Sequence, residues 1–161
     1  MQTIIRLIRP QDNVKVAAII RIVMTEFGAS GAGFAIHDEE VNNMYAAYTR
    51  PGCVYYVCEV DSQVVGGGGI GPLAGGDADT CELKKMYFLP EGRGRGLGQR
   101  ILDCCLEAAR NMGYTWCYLE TFHTMKQAMK LYEKNGFEKI SGPCGNTGHF
   151  ACDTFYKKKL Q

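Results

Sequence analysis

The chain has 161 residues, enough for one domain with its own hydrophobic core. Hydrophobic residues make up 46% and charged residues 22%, which excludes a disordered chain. Eighteen Lys and Arg stand against 17 Asp and Glu, and this formal net charge of +1 argues against a nucleic-acid binder.

Residues 3–9 alternate Ile and Leu with Arg and read as a first strand, ended by Pro10. Asp12 is placed to cap a helix over 13–26. A glycine-rich loop follows at 28–33. Asp38, Glu39 and Glu40 then form the acidic first turn of a second helix reaching Tyr48. They read as local helix-terminus charges, with attraction of a cationic amine as the alternative.

Residues 53–60 are β-branched and aromatic, and Asp61 to Gln63 turn the chain into a returning strand at Val64. The string Gly66-x-Gly68-x-x-Gly71 matches a dinucleotide fingerprint, but a loop follows it where the fingerprint needs a helix. Four consecutive glycines, 66 to 69, instead suggest a strand stripped of side chains where another group approaches its backbone. A fourth strand over 81–89 ends at Pro90.

Leu97, Ile101, Cys105, Ala108 and Met112 mark the clearest helix, closed by Gly113. A strand over 115–120 precedes a helix capped by Thr124, with the stripe Met125, Ala128, Met129 and Tyr132. Two last strands cover 137–140 and 150–160. The order βααβββαβαββ is a mixed α/β (α+β) pattern of seven strands and four helices, with no repeat or linker, so residues 1–161 are expected to form a single domain. The eight cysteines show no C-x-x-C pair or zinc spacing and read as small buried hydrophobes of a reducing compartment. No signal peptide, myristoylation site or membrane span is legible, so a cytoplasmic protein is expected.

The chemistry concentrates between Glu82 and Gln99, where strand, glycine-rich loop and helix follow one another. The first turn of a helix has unpaired backbone N–H groups and partial positive charge. Glycines admit close approach and positive φ, and Arg93 and Arg95 add full charge. Such a turn suits a pyrophosphate. The nucleotide P-loop string is absent.

Arg93-Gly94-Arg95-Gly96-Leu97-Gly98 fits Q/R-x-x-G-x-G/A, and Ala128-Met129-Lys130-Leu131-Tyr132-Glu133-Lys134-Asn135-Gly136-Phe137 fits A-x-x-L-Y-x-x-x-G-F. On these two motifs, in order and on the expected elements, the chain resembles the GNAT N-acetyltransferases over nearly its whole length. The resemblance implies a mixed, strongly twisted sheet splayed between its fourth and fifth strands, with acetyl-CoA as co-substrate in the opening and no metal. It implies pyrophosphate contacts from Arg93, Gly94, Arg95, Gly96, Leu97 and Gly98, with Gln99 adding one. A bulged fourth strand would offer backbone groups at Met86, Tyr87 and Phe88. Where many members carry a pantetheine-binding Asn, this chain has Met125, and that side-chain contact should be missing.

The implied reaction is acetyl transfer to an amine by direct attack. Tyr132 stands at the family's general-acid tyrosine; on spacing alone it is one more aromatic of a helix stripe. Glu82, eleven positions before Arg93, matches the glutamate base of one family branch; the alternatives are a solvated charge paired with Lys84 or Lys85, or deprotonation through waters. By alternation, Glu82 should face the same side as Lys84, Met86 and Phe88. His149, between the last two strands, is a candidate acceptor-site residue, while His37 and His123 read as surface. Cys144 and Cys152 flank His149 but are not expected to act as nucleophiles. A small-molecule amine and a peptide amine both stay open as acceptor, as do monomer and homodimer. A non-catalytic acyl-CoA-binding module is the alternative to an enzyme.

Overall fold

A computed structural model describes all residues, 1–161. The strands are β1 Thr3–Leu7, β2 Val54–Val60, β3 Gln63–Pro72, β4 Thr80–Phe88, β5 Trp116–Thr121, β6 Glu138–Ile140 and β7 Thr154–Lys159. The α-helices are α1 Asn13–Glu26, α2 Met44–Tyr48, α3 Leu97–Asn111 and α4 Lys126–Lys134. All seven strands form one sheet in the order β1-β2-β3-β4-β5-β7-β6. Every neighbour is antiparallel except the pair β4–β5.

That parallel pair positions the site. It holds only at Thr80–Trp116, Cys81–Cys117 and Glu82–Tyr118. Beyond Glu82 the two strands part, and β4 runs on to Phe88 with no β5 partner for its backbone.

Helices cover both faces. Ile101, Leu102, Cys105, Leu106 and Ala109 of α3 pack with Ile70, Cys81, Leu83, Met86 and Cys117 on one side. The buried stripe of α3 is thus rotated from the one read in sequence, and Met112 is exposed. On the other side, Val16, Ala17, Ile20 and Met24 of α1 pack with Met44, Tyr48, Tyr55 and Val57. The expected second helix is shorter than its pattern: residues 39–43 form a 3-10 turn and only Met44–Tyr48 is α-helical. Cys58, Cys81, Cys105 and Cys117 are buried as expected; the other four cysteines are partly exposed, and all eight are free.

The glycine run of β3 is explained by what crosses it. A Cβ at Gly67 would lie 2.4 Å from the Tyr56 carbonyl oxygen, and one at Gly69 2.4 Å from that of Val54. At Gly68 it would press on Met86 and Ile101, and at Gly66 on Phe88. Large side chains of β2, β4 and α3 take the space that β3 leaves free.

Opposite those glycines, β4 bulges. Gly67 pairs with Tyr87 but Gly69 pairs with Lys84, and Lys85 adopts φ 52°, the left-handed region that a residue with a Cβ rarely enters. The extra residue reverses the alternation. Cys81, Leu83, Met86 and Phe88 lie on the α3 side, whereas Tyr87 and Leu89 lie on the α1 side. Glu82 and Lys84 therefore do not share a face with Met86 and Phe88. A strict period of two fails here because one residue is added between Lys84 and Met86.

Candidate active site

The opening between β4 and β5 holds two adjoining cavities that share Met86, Tyr87 and Met125 as wall. The outer one, about 250 Å³, runs between the end of β4, the head of α3 and α4. The inner one, about 50 Å³, lies under the bulge and is lined by Glu82, Glu120, Tyr132, His149 and Cys152 among mostly apolar groups.

The outer groove is built on glycines. Gly94 and Gly96 both have φ 72°, and Gly96 is the residue preceding the first turn of α3. The first intrahelical bond runs from the Arg100 N–H to the Gly96 carbonyl at 3.2 Å. The amides of Leu97, Gly98 and Gln99 thus have no helical acceptor, and no side chain caps them. Gly98 faces Leu131 of α4, where a Cβ would come within 3.3 Å of the leucine. Met86, Tyr87, Phe88, Gly94, Gly96, Leu97 and Gly98 all line the groove.

Arg93 lines the groove as well, whereas Arg95 and Gln99 are not among its walls. The Arg93 amide is spent on the Pro90 carbonyl at 3.1 Å. Its guanidinium forms a two-pronged pair with Glu26 at 2.7 and 2.8 Å and donates to the Phe88 carbonyl. Arg95 turns back to the Glu91 carbonyl and the Met1 sulfur. The Gln99 side chain ties α3 to Asn135 at the end of α4, and to Asp103. The groove therefore offers backbone amides and a helix terminus, while these three side chains are engaged elsewhere. Thr124, read as a cap of α4, instead donates to the Phe27 carbonyl at 2.6 Å, and Met125 occupies the capping position without a polar atom.

The inner cavity holds a charge cluster. Lys85, its side chain only 1% exposed, reaches Asp38 at 2.7 Å and Glu40 at 3.0 Å. Lys84 pairs with Glu40 at 3.2 Å. His149 Nε2 contacts Asp38 at 2.8 Å, and its Nδ1 faces Glu120 at 3.2 Å. Glu120 also accepts from Thr147 at 2.6 Å and Tyr118 at 2.7 Å. The acidic turn read as local helix charges is thus wired into the site. Sequence reasoning missed Lys85 and Glu120 as site members, and raised Asp38 and Glu40 only as the less favoured alternative of a cation-attracting turn.

Glu82 and Tyr132 both reach the inner cavity. Glu82 is 5% exposed, and no side chain hydrogen-bonds its carboxylate; Lys84 and Lys85 pair with Glu40 and Asp38 instead. Burial pushes its acid up to about 7, against partial opposition from Lys84. The Tyr132 hydroxyl has no protein partner, and burial pushes the phenol up, keeping it protonated. For His149, burial pulls the ring down, but hydrogen bonds to Asp38 and Glu120 outweigh it and raise the value to about 9. Cys152 is driven up to about 12 by burial and stays a thiol. His123 pairs with Asp153 on the surface, and His37 contacts the Ser30 carbonyl. Glu82, Glu120 and His149 bring one ligand atom each within 4.8 Å, a metal-ligand spacing in which both imidazole nitrogens already face carboxylates.

A model of the acetyltransferase (GNAT) family matches residues 16–137. The chain is 43% identical over 158 residues to YjgM, an uncharacterized N-acetyltransferase of Escherichia coli K12, covering 98% of this chain and 95% of that one. A GNAT-family acetyltransferase of Staphylococcus aureus Mu50 shares the fold with a TM-score of 0.88 at 20% identity, over 99% of this chain and 100% of the other. The protein yncA of Salmonella typhimurium, solved with its cofactor acetyl-CoA, gives a TM-score of 0.78 at 20% identity, over 100% of this chain and 95% of the other.

Proposed function

This chain belongs to the acetyltransferase (GNAT) family, and we propose that it moves an acetyl group from acetyl-CoA to a primary amine by direct attack. One observation carries the reading. An unpartnered carboxylate, Glu82, and an unpartnered phenol, Tyr132, face one narrow cavity that adjoins a groove ending at free helix amides.

The pyrophosphate of acetyl-CoA lies against the amides of the 94–99 segment, favoured by the α3 terminus. The adenine-distal arm follows β4 past Phe88 to Met86, where the strand has unpaired backbone groups. Glu82 takes a proton from the acceptor ammonium, which alone would hold it at neutral pH. The amine nitrogen then bonds the thioester carbonyl carbon, the C–S bond breaks, the leaving thiolate takes the Tyr132 proton, and the second proton shed by the acylated nitrogen returns to the Tyr132 phenolate. Amide and free thiol are the products. Cys152, held as a thiol, is not on this path.

The test pairs acetyl-CoA binding, read as a thermal shift, with thiol release across a panel of amines, for the wild type and Tyr132→Phe. Stabilisation with thiol release that falls in the variant is the expected result. Binding with no turnover would favour a non-catalytic acyl-CoA-binding module. No binding overturns the proposal.

A further inference from the structure

Of the charges around the inner cavity, one is left over. Asp38, Glu40 and Glu120 are each paired, with Lys85, Lys84 and His149 as partners. Both His149 nitrogens face carboxylate oxygens, at 2.8 and 3.2 Å, so both donate, which only the protonated ring can do. Every basic side chain lining the cavity is thereby committed. Glu82 is buried, lacks a partner, and has an oxygen within 4.8 Å of Glu120 and His149. The cavity has a place for one cation and none for an anion. Its remaining wall is apolar and narrow, with Phe34, Leu119 and Tyr132 among its members.

Building on the transferase reading, we infer that this cavity selects slender primary amines with no carboxylate beside the amine, and that Glu82 and Glu120 impose that selection. The ammonium enters between the two carboxylates. An α-amino acid brings its carboxylate one carbon away into the same apolar enclosure, where like charges repel strongly and no free cation answers. His149, Thr147 and Tyr118 hold Glu120 in place, so its charge is a fixed feature of the wall.

Matched sets test this: isoamylamine, leucine and leucine methyl ester, and tyramine, tyrosine and tyrosine methyl ester, at saturating acetyl-CoA with thiol release as readout. Amine and ester should both exceed the amino acid in kcat/KM by about tenfold or more, because only the acid carries the extra charge. Against the plain amine, the amino acid's less basic nitrogen works in its favour, so that gap is a lower bound; the ester's nitrogen is less basic still, so ester and acid are compared per unprotonated amine, from rates taken across pH. In Glu120→Gln the gap should narrow, whereas a purely structural loss lowers amine and acid alike. An amino acid within that tenfold overturns the inference. An ester as poor as the acid also overturns it, since rejection would then follow size. Thiol release from none of the six, with acetyl-CoA bound and other amines or Lys peptides turned over, overturns this inference and leaves the transferase reading standing; no release from any amine or peptide overturns that reading.

Discussion

His149 Nε2 lies 2.8 Å from both carboxylate oxygens of Asp38, a residue 111 positions earlier in the chain. This contact fastens the β6–β7 connection to the segment before α2 and closes one side of the inner cavity. Its strength depends on the charge of the ring. The folded value of about 9 exceeds the ordinary 6.5, so the contribution is complete below 6.5 and is lost as pH rises through 9. The Tm of the wild type should fall between about pH 7 and pH 10 more steeply than that of His149→Gln. Parallel curves would remove His149 as the cause.

Glu82 behaves oppositely in its two roles. As a base it works once ionised, so kcat/KM should rise through about pH 7, and Glu82→Gln should lose about 10²–10⁴-fold and that limb. As a buried acid with a raised value, it adds stability that is complete below 4.5 and lost as pH rises through 7. Glu82→Gln should therefore melt higher than the wild type at pH 8 while being less active. A variant that is both inactive and less stable would point to a structural role.

Tyr132→Phe removes a hydroxyl without a protein partner and keeps the ring between Phe137 and Tyr156. Its Tm should stay near the wild type. The rate of thiol release should fall about 10²-fold or more, as expected for loss of a general acid, with acetyl-CoA affinity unchanged. Equal turnover in the two proteins would leave Tyr132 as core only.

The groove makes separable predictions for backbone and side chains. At Gly96, a Cβ meets nothing within 4 Å, so Gly96→Ala costs only the left-handed backbone, about 1–2 kcal/mol. It should lower Tm and weaken acetyl-CoA binding together, measured by calorimetry. Arg93→Gln breaks the Glu26 pair and should lower stability with little change in affinity. A large affinity loss in Arg93→Gln would mean that the guanidinium leaves Glu26 for the ligand.

Much of this was legible along the chain. The seven strands and four helices follow from local patterns of apolar residues and from turn residues such as Pro10, Pro90 and Gly113. The run Gly94, Gly96, Gly98 marked the groove: the first two take positive φ, which only glycine does without cost, and the third sits close against Leu131 of α4. Glu82, Tyr132 and His149, picked from motif and position, come together around one cavity.

Local pattern could not place Lys85. Alternation assigns each strand residue a face, but the bulge at Lys85 reverses it, and a bulge depends on the neighbouring glycines of β3. Nor could it foresee that Arg93 spends its charge on Glu26, 67 positions away. The elements, the family motifs and the candidate acid and base depend on spacing within one segment, and so can be read from residue order. Which charges neutralise one another, leaving Glu82 without a partner, follows from the fold. An ion pair depends on distance in space, and the splayed strands bring Asp38, Glu82, Glu120 and His149 together from four separate stretches of chain.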